Sequence, residues 1–474
     1  MTTIKFGTDG WRGIIAQDFT FDNVRACAQA VADYVRGRGM AERGLVVGYD
    51  TRFASEDFGA AVAEVLAASG VKAYLCNKPA PTPVISYNIV TRGAAGAAII
   101  TASHNPHLWN GFKYKPEYAG SATPEVTAEL ERRIAQVQTK GHPKQMPLAE
   151  GLSKGLIAHI DASTPYLEHI AQLVDLAPVK KAGLKVVVDS MYGAGAGYLK
   201  SLLDGGRTEV VEINGERNPL FPGIERPEPI AQNLVRLSSI VKESRASVGL
   251  ATDGDADRIG IVDERGTFVT QLQVFALLAL YLLEVRGERG PLVKSRTTTS
   301  MIYRLGELFK VPVVETPVGF KYIAPIMLKE NALIGGEESG GFGFRGHIPE
   351  RDGILSGLYF LDLMVKLGKS PTELIDHLYR KVGPHHYDRL DLHLDPEQQP
   401  PILARVAAAR PAVLDGTKVT AIDTEDGFRF RLQDGAWLLV RFSGTEPVVR
   451  IYAEAASPQR VQRLLAEGRK IAGI

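Results

Sequence analysis

Residues 97–115, AAIITASHNPHLWNGFKYK, set Ser103 beside His104, with Lys113 a short way downstream. A serine next to a histidine suggests a hydrolase nucleophile. The neighbours argue against the common form, because α/β hydrolases present their serine in G-x-S-x-G and here Ala102 and His104 flank it. Adjacent side chains also diverge, so the dipeptide alone does not give triad geometry. Taken by itself, Ser103 reads as a turn or capping residue, and a catalytic role needs partners from elsewhere in the chain.

The segment TDGDADR, residues 252–258, alternates Asp253, Asp255 and Asp257 with small residues. Three carboxylates on one side of an extended turn repel one another unless a cation sits among them, and hard oxygen ligands suit Mg²⁺ or a similar divalent ion. An EF-hand is the rival metal loop, and Glu264 stands at its twelfth position. Arg258 fills the sixth, where that loop needs glycine, and the flanks ASVGLA and IGIVDE are strand-like rather than helical. A solvated acidic turn is the plainer alternative. Further on, IGGEESGGFGFRGH (334–347) carries Glu337 and Ser339 between pairs of glycines, which lets the backbone approach a ligand and presents groups suited to sugar hydroxyls. RFSGTEP (441–447) gathers Arg441, Ser443, Gly444 and Thr445 into a turn able to cradle an anion. Alone, the first would be an ordinary surface loop and the second a hairpin turn.

Loops of this kind need strands to deliver them. Apolar runs precede three of them: AAII before Ser103, ASVGLA before the carboxylates, and AWLLV before Arg441. FTFDNVRACAQAVADYVRGRG has a helical apolar period, GLVVGYDTR reads as a buried strand, and SEDFGAAVAEVLAASG is a helix ending at glycine. Strand and helix in alternation predict a parallel or mixed α/β sheet. The pattern restarts after TKGHPKQMPLAEG (139–151), a polar candidate linker, and once more after the carboxylate loop. Past KVGPHHYD the texture becomes antiparallel strands with Asp-Gly turns, followed by a last helix at about 457–471. The expected units are 1–150 with the serine loop, 151–258 with the metal loop, 259–380 with the Gly-rich loop, and a small α+β unit at 381–474. The restarts resemble one another in texture, without a short-period repeat.

A chain of 474 residues suits several domains at roughly 100–200 residues each. Its 55 basic and 54 acidic residues leave a net charge of +1, which gives no reason to expect nucleic acid or a membrane surface as partner. Cys27 and Cys76 form neither a CxxC nor a metal pattern, so a reducing compartment is expected. MTTIKFGTDGWRG lacks the marks of a signal peptide, and the apolar run VFALLALYLL is too short to span a bilayer. A cytoplasmic protein, monomeric or homodimeric, is the expectation.

The four motifs, in this order, resemble those of the α-D-phosphohexomutase family, and the resemblance runs from KFGTDGWRG to RFSGTEP. It implies three related α/β domains with mixed sheets and a C-terminal α+β domain around a central cleft, each giving it one loop. It implies a hexose-phosphate substrate, Mg²⁺, and a hexose 1,6-bisphosphate as intermediate and activator. Ser103 would carry the phosphoryl group and, with Asp253, Asp255 and Asp257, hold the metal. Glu337 and Ser339 would bind the sugar, and Arg441, Ser443, Gly444 and Thr445 the phosphate that does not react. Arg12, His104, Lys113, Arg258 and Lys294 fall on family positions lining the centre, with His104 and Lys113 as candidates for the proton-transfer group. Two residues depart from the family pattern: Phe442 stands where proline is common, and Gly341 where members acting on mannose or glucosamine phosphates often have histidine. The resemblance thus favours glucose 1-phosphate/glucose 6-phosphate interconversion, with phosphomannomutase or dual specificity next and phosphoglucosamine mutase after it. A serine hydrolase and a non-catalytic sugar-phosphate binder are the alternatives of other classes.

Overall fold

The computed structural model describes residues 3–7, 9–442 and 448–474. Three mixed sheets follow one another, and the fourth is antiparallel throughout. The first has six strands in the order Trp11–Ile14, Trp109–Pro116, Gly96–Ile100, Leu45–Tyr49, Ala73–Cys76, Ile157–Ile160. Its last four run parallel, and the first two are antiparallel additions at the edge. The second sheet repeats the plan with Lys185–Asp189 between Glu209–Ile213 and Val248–Thr252, then Ile259–Val262 and Phe268–Val269 antiparallel. The third places Leu292–Ser295 between Val313–Thr316 and Ile334–Gly336, with Phe342–Phe344 antiparallel at the edge.

These strands form because short β-branched and apolar runs such as LVVGY and VGLAT are buried on both faces under flanking helices. The helix Gly353–Leu367 lies entirely in that interior from Gly353 to Met364, which requires the apolar run GILSGLYFLDLM. Asp352 caps it by accepting the Leu355 N–H at 2.9 Å. The run VFALLALYLL is likewise a buried helix, Gln271–Leu280, started by a Thr270/Gln273 capping box and ending in a π turn at Tyr281–Val285. No helix among the described residues is long and apolar enough to cross a membrane.

One position recurs in all three mixed sheets. The connection from a parallel strand to its antiparallel neighbour holds Ser103 in the first, Asp253–Arg258 in the second and Glu337–Gly341 in the third. Three copies of one hairpin therefore deliver three different chemistries to one place, a likeness of architecture that residue patterns alone do not reveal.

Two expected boundaries move. Strand Ile157–Ile160 completes the first sheet, and the segment before it is tied to that unit, with the Met146 and Leu148 N–H groups bonded to Glu64. The first unit thus runs past 150, and 139–151 is no free linker. Ile259–Val262 and Phe268–Val269 complete the second sheet, so the second unit continues past 258. Strand pairing decides both cases: a parallel strand added at the far edge in the first and a hairpin in the second each read locally like the start of a new unit. The last sheet, from His386–His393 to Val413–Leu414, packs its own core with the helix Pro458–Ala472.

Candidate active site

The strand Gly96–Ile100 hands the chain to a loop shaped by one buried arginine. Arg52 donates to the carbonyls of Ser103 (2.7 Å), Asn105 (2.6 Å), Pro106 and Trp109 (both 2.9 Å), using the planar fork that lysine lacks. Ser103 itself is held at φ +52°, a left-handed conformation that a serine keeps only when its surroundings impose it. Its Oγ donates to Asp253 Oδ2 at 3.0 Å and lies 3.2 Å from His104 Nδ1. Burial, then Arg258 and Arg12, hold His104 well below the usual imidazole range, which keeps it neutral near pH 7.

Asp253, Asp255 and Asp257 are fully buried, and one oxygen from each falls within 4.8 Å of the others. Their Oδ2 atoms are engaged: Asp253 by Ser103, Asp255 by Lys113 Nζ (2.8 Å) and Thr82 Oγ1 (2.6 Å), Asp257 by Arg351 (2.6 Å) and Lys113 (3.5 Å). Oδ1 of Asp255 and of Asp257 accept no hydrogen bond, although both are buried. Buried carboxylate oxygens without hydrogen bonds are costly, and two of them within a cluster of three carboxylates fit a hard divalent cation of the Mg²⁺ kind. Burial raises the Asp253 carboxyl well above its ordinary range, reinforced by Asp255 and Asp257; Lys113 overcomes the same burial at Asp255 and pulls it down. Gly254 brings the carboxylate loop against the serine loop, where any Cβ would overlap the Ser103 carbonyl oxygen.

A polar cleft of about 770 Å³ opens over these loops. Of the residues singled out in the sequence, Arg12, His104, Arg258, Glu337, Ser339 and Arg441 line it. Ser103 and the three aspartates lie just beneath the wall, next to His104 and Arg258. Arg12 donates to Asn105 Oδ1 at 2.7 Å, and Arg258 reaches Glu228 at 3.1 Å while its backbone N–H binds Asp253 Oδ1 at 3.1 Å. Arg441 Nε holds Asp426 Oδ1 at 2.8 Å; Ser443, Gly444 and Thr445 lie outside the described residues.

Two further expected residues do not line the cleft. Lys113 is sealed under the carboxylate loop, its amine shared by Asp9 and Asp255 at 2.8 Å and Asp257 at 3.5 Å. Lys294 is 1% exposed and does not line the cleft; it lies 3.5 Å from Glu315 and over the Tyr303 ring. Its strand end LVKS looks like a loop start, yet the side chain turns into the junction between the third and fourth units. Conversely, Arg351 and Asp9 were not singled out in the sequence. Arg351 joins Asp9 (2.8 Å), Asp257 (2.6 Å) and Glu337 (3.2 Å), so one guanidinium ties loops from three units together. The charged run HIPERDG after the Gly-rich loop was the available signal.

Models of the family described as phosphoglucomutase/phosphomannomutase match nearly the whole chain: α/β/α domain I over 3–141, domain II over 164–266, domain III over 271–382, and the C-terminal domain over 396–471. The chain belongs to that family. It is a phosphohexomutase, an intramolecular phosphotransferase of the isomerase class, with three mixed-sheet α/β domains and an antiparallel C-terminal one. A phosphoglucomutase/phosphomannomutase of Thermococcus kodakarensis is 34% identical, covering 98% of each chain. A phosphoglucosamine/phosphogalactosamine mutase of Sulfurisphaera tokodaii is 30% identical, again covering 98% of each. A solved structure from Thermus thermophilus, provisionally assigned as a phosphomannomutase, superposes with a TM-score of 0.86 at 37% identity over the whole of both chains. Among phosphohexomutases, then, similarity alone does not select one hexose.

Proposed function

We propose that this phosphohexomutase interconverts glucose 1-phosphate and glucose 6-phosphate, with Ser103 as the phosphoryl carrier and glucose 1,6-bisphosphate as intermediate and activator. The observation that carries the reading is the Ser103 Oγ at 3.0 Å from Asp253, in a cluster where two further buried carboxylate oxygens accept no hydrogen bond. A hydrolytic serine has no use for such a set, whereas phosphoryl transfer does. Asp253, Asp255 and Asp257 would hold Mg²⁺, which when bound supplies positive charge to the phosphoryl oxygens.

The chain's own residues supply the rest. In the forward half, the bond from phosphorus to Ser103 Oγ breaks and one to a sugar hydroxyl oxygen forms. The serine oxygen is left with the electron pair, and the hydroxyl gives up its proton. His104 is suited to receive that proton, since it is neutral, lines the cleft and lies beside Oγ. Lys113 is a poor candidate: Asp255, Asp9 and Asp257 overcome its burial and raise it above the ordinary lysine range, so it stays a cation. Arg12 and Arg258 line the cleft as fixed donors for phosphoryl oxygens, and Glu337 with Ser339 suits the sugar hydroxyls. The bisphosphate then turns end for end, so that the other phosphate returns to Ser103. Arg441 across the cleft would hold whichever phosphate is not reacting, together with Ser443, Gly444 and Thr445.

A second reading, phosphomannose or phosphoglucosamine specificity, rests on the relatives that carry those activities in their names. An assay across glucose, mannose and glucosamine 1-phosphates, with Mg²⁺ and the matching bisphosphate, separates them. Glucose 1-phosphate is expected to give the highest kcat/KM, and mannose 1-phosphate equalling it defeats the glucose assignment. Mass spectrometry is expected to find phosphate on Ser103, and Ser103→Ala to lose activity by a factor of at least ~10³. Full activity in that variant sinks the phosphoenzyme.

A further inference from the structure

Residue 341 sits at the end of the sugar loop, and its lack of a side chain has a specific cause. Gly340 is left-handed at φ +87°, but Gly341 is absent from the positive-φ positions, so its backbone is one that any residue can adopt. Space is what restricts it. An added Cβ would overlap Arg351 Cδ and lie 2.9 Å from Cγ. Arg351 is not free to yield, because its far end is pinned at 2.6 Å to the buried Asp257, 2.8 Å to Asp9 and 3.2 Å to Oε2 of the buried Glu337. Its guanidinium also lies 5.8 Å from the Phe320 ring, and Phe320 lines the same cleft.

We propose that Gly341 and Arg351 form a matched pair, in which Arg351 is a positioning residue that aims Glu337 at the sugar and Asp257 at the metal, and Gly341 provides the room that admits it. The two tasks fall on different nitrogens. Nη2 bridges Asp9 and Asp257, while Nη1 fixes one oxygen of Glu337. The planar fork holds the two sides from separate nitrogens, whereas a lysine amine in the same place has a single nitrogen to divide between them. The sugar as the partner of Glu337 rests on the proposed function. The steric pairing and its effect on the carboxylate loop do not.

The test is a double-mutant cycle on the full chain, read by calorimetric Mg²⁺ affinity, by thermal unfolding, and by kcat and KM for glucose 1-phosphate. Gly341→Ala is expected to raise KM about tenfold and to weaken Mg²⁺ binding about threefold in the native background. In an Arg351→Ala background, where Cγ and Cδ are gone, the same substitution should change neither by more than about twofold. Arg351→Lys should keep Mg²⁺ affinity within about threefold of the native protein while KM stays raised, a split that general loosening does not give. Equal effects of Gly341→Ala in both backgrounds would overturn the pairing. Should Arg351→Ala fail to fold, the lysine variant decides: native KM with Arg351→Lys also overturns it. If the native protein turns over no hexose phosphate, yet the Mg²⁺ cycle shows the coupling, the proposed function falls and the pair stands.

Discussion

Thr82 and Asp255 share two hydrogen bonds although 173 positions separate them. The threonine hydroxyl donates to Asp255 Oδ2 at 2.6 Å, and its backbone N–H donates to the Asp255 carbonyl at 2.9 Å. Thr82 opens the helix Thr82–Arg92 of the first unit, so that helix start clasps the carboxylate loop of the second. The positive end of the helix dipole favours the negative charge it meets there.

Thr82→Val keeps the shape and removes only the hydroxyl, leaving Asp255 Oδ2 to Lys113 alone. A hydrogen bond to a charged group contributes about 1.5–3 kcal/mol, so urea unfolding without metal should show a loss of that size. Calorimetry should show Mg²⁺ binding weakened by about three- to tenfold, because the ligand loses its anchor. Unchanged values in both experiments would mean that the clasp is incidental.

Lys113 is the cation on which the buried carboxylates depend. Lys113→Met leaves Asp9, Asp255 and Asp257 without the amine that now lies within 3.5 Å of all three. Removing one side of a buried ion pair costs about 3–5 kcal/mol, and the variant should unfold correspondingly earlier in denaturant at pH 7. Saturating Mg²⁺ should restore part of the loss, since a bound cation offsets the same charges and binds the folded state. A variant as stable as the native protein without metal would show that these carboxylates are not ionised together.

Lys294 gives a pH signature of the opposite sign. Burial lowers it from the ordinary lysine range to about 8, with Arg429 adding to the effect and Glu315 and Glu454 opposing it. Its folded value lies below its unfolded one, so between about pH 8 and pH 10.5 the unfolded chain binds the extra proton and stability from this group rises with pH. Below pH 8 the buried charge is a cost. Lys294→Met should therefore melt higher than the native protein at pH 7, since Glu315 keeps Arg429 at 2.6 and 2.8 Å. That advantage should shrink as pH rises through the window. Calorimetric melts at pH 7, 8.5 and 10 check it, and a difference that does not change with pH refutes it.

What the sequence revealed and what it hid follow from range. The serine and the aspartate trio were legible because each follows its own apolar strand within a few residues, so local pattern fixes both element and exposure. Arg351 was not, because its meaning lies in partners 342 and 94 positions away, Asp9 and Asp257. Lys294 misled for the converse reason. A lysine at a strand end reads as cleft-facing until Glu315 and Tyr303 of its own unit and Arg429 of the next close around it. The sheets run past 150 by one parallel strand and past 258 by one hairpin, since a strand's sheet is settled by its pairing partner and not by its composition. Glu338 is a subtler case. It stands inside the sugar-loop motif, yet its carboxylate faces the last unit, accepting from Tyr387 at 2.9 Å and Arg389 at 2.8 Å.

Contacts of that kind govern how firmly the last unit is held. Arg429 grips Glu315 with two hydrogen bonds of 2.6 and 2.8 Å, Arg296 meets Glu425 at 2.8 Å, and the Val318 N–H binds Asp426 at 2.8 Å. The covalent link between the units passes through Gly383 at φ +82°, which ends the helix Pro371–Val382 within the KVGPHH segment. A glycine joint suits a unit that swings to open and close the cleft. Glu315→Gln weakens the largest of these contacts while leaving Arg429 with Asp423 at 2.8 Å. Small-angle scattering should then show a larger radius of gyration for the free variant than for the free native protein, with glucose 1-phosphate at saturation bringing the two together. KM should rise about three- to tenfold with kcat changed less, because closing the cleft becomes part of binding. Identical scattering from free and saturated protein, in both native and variant forms, would leave the unit fixed.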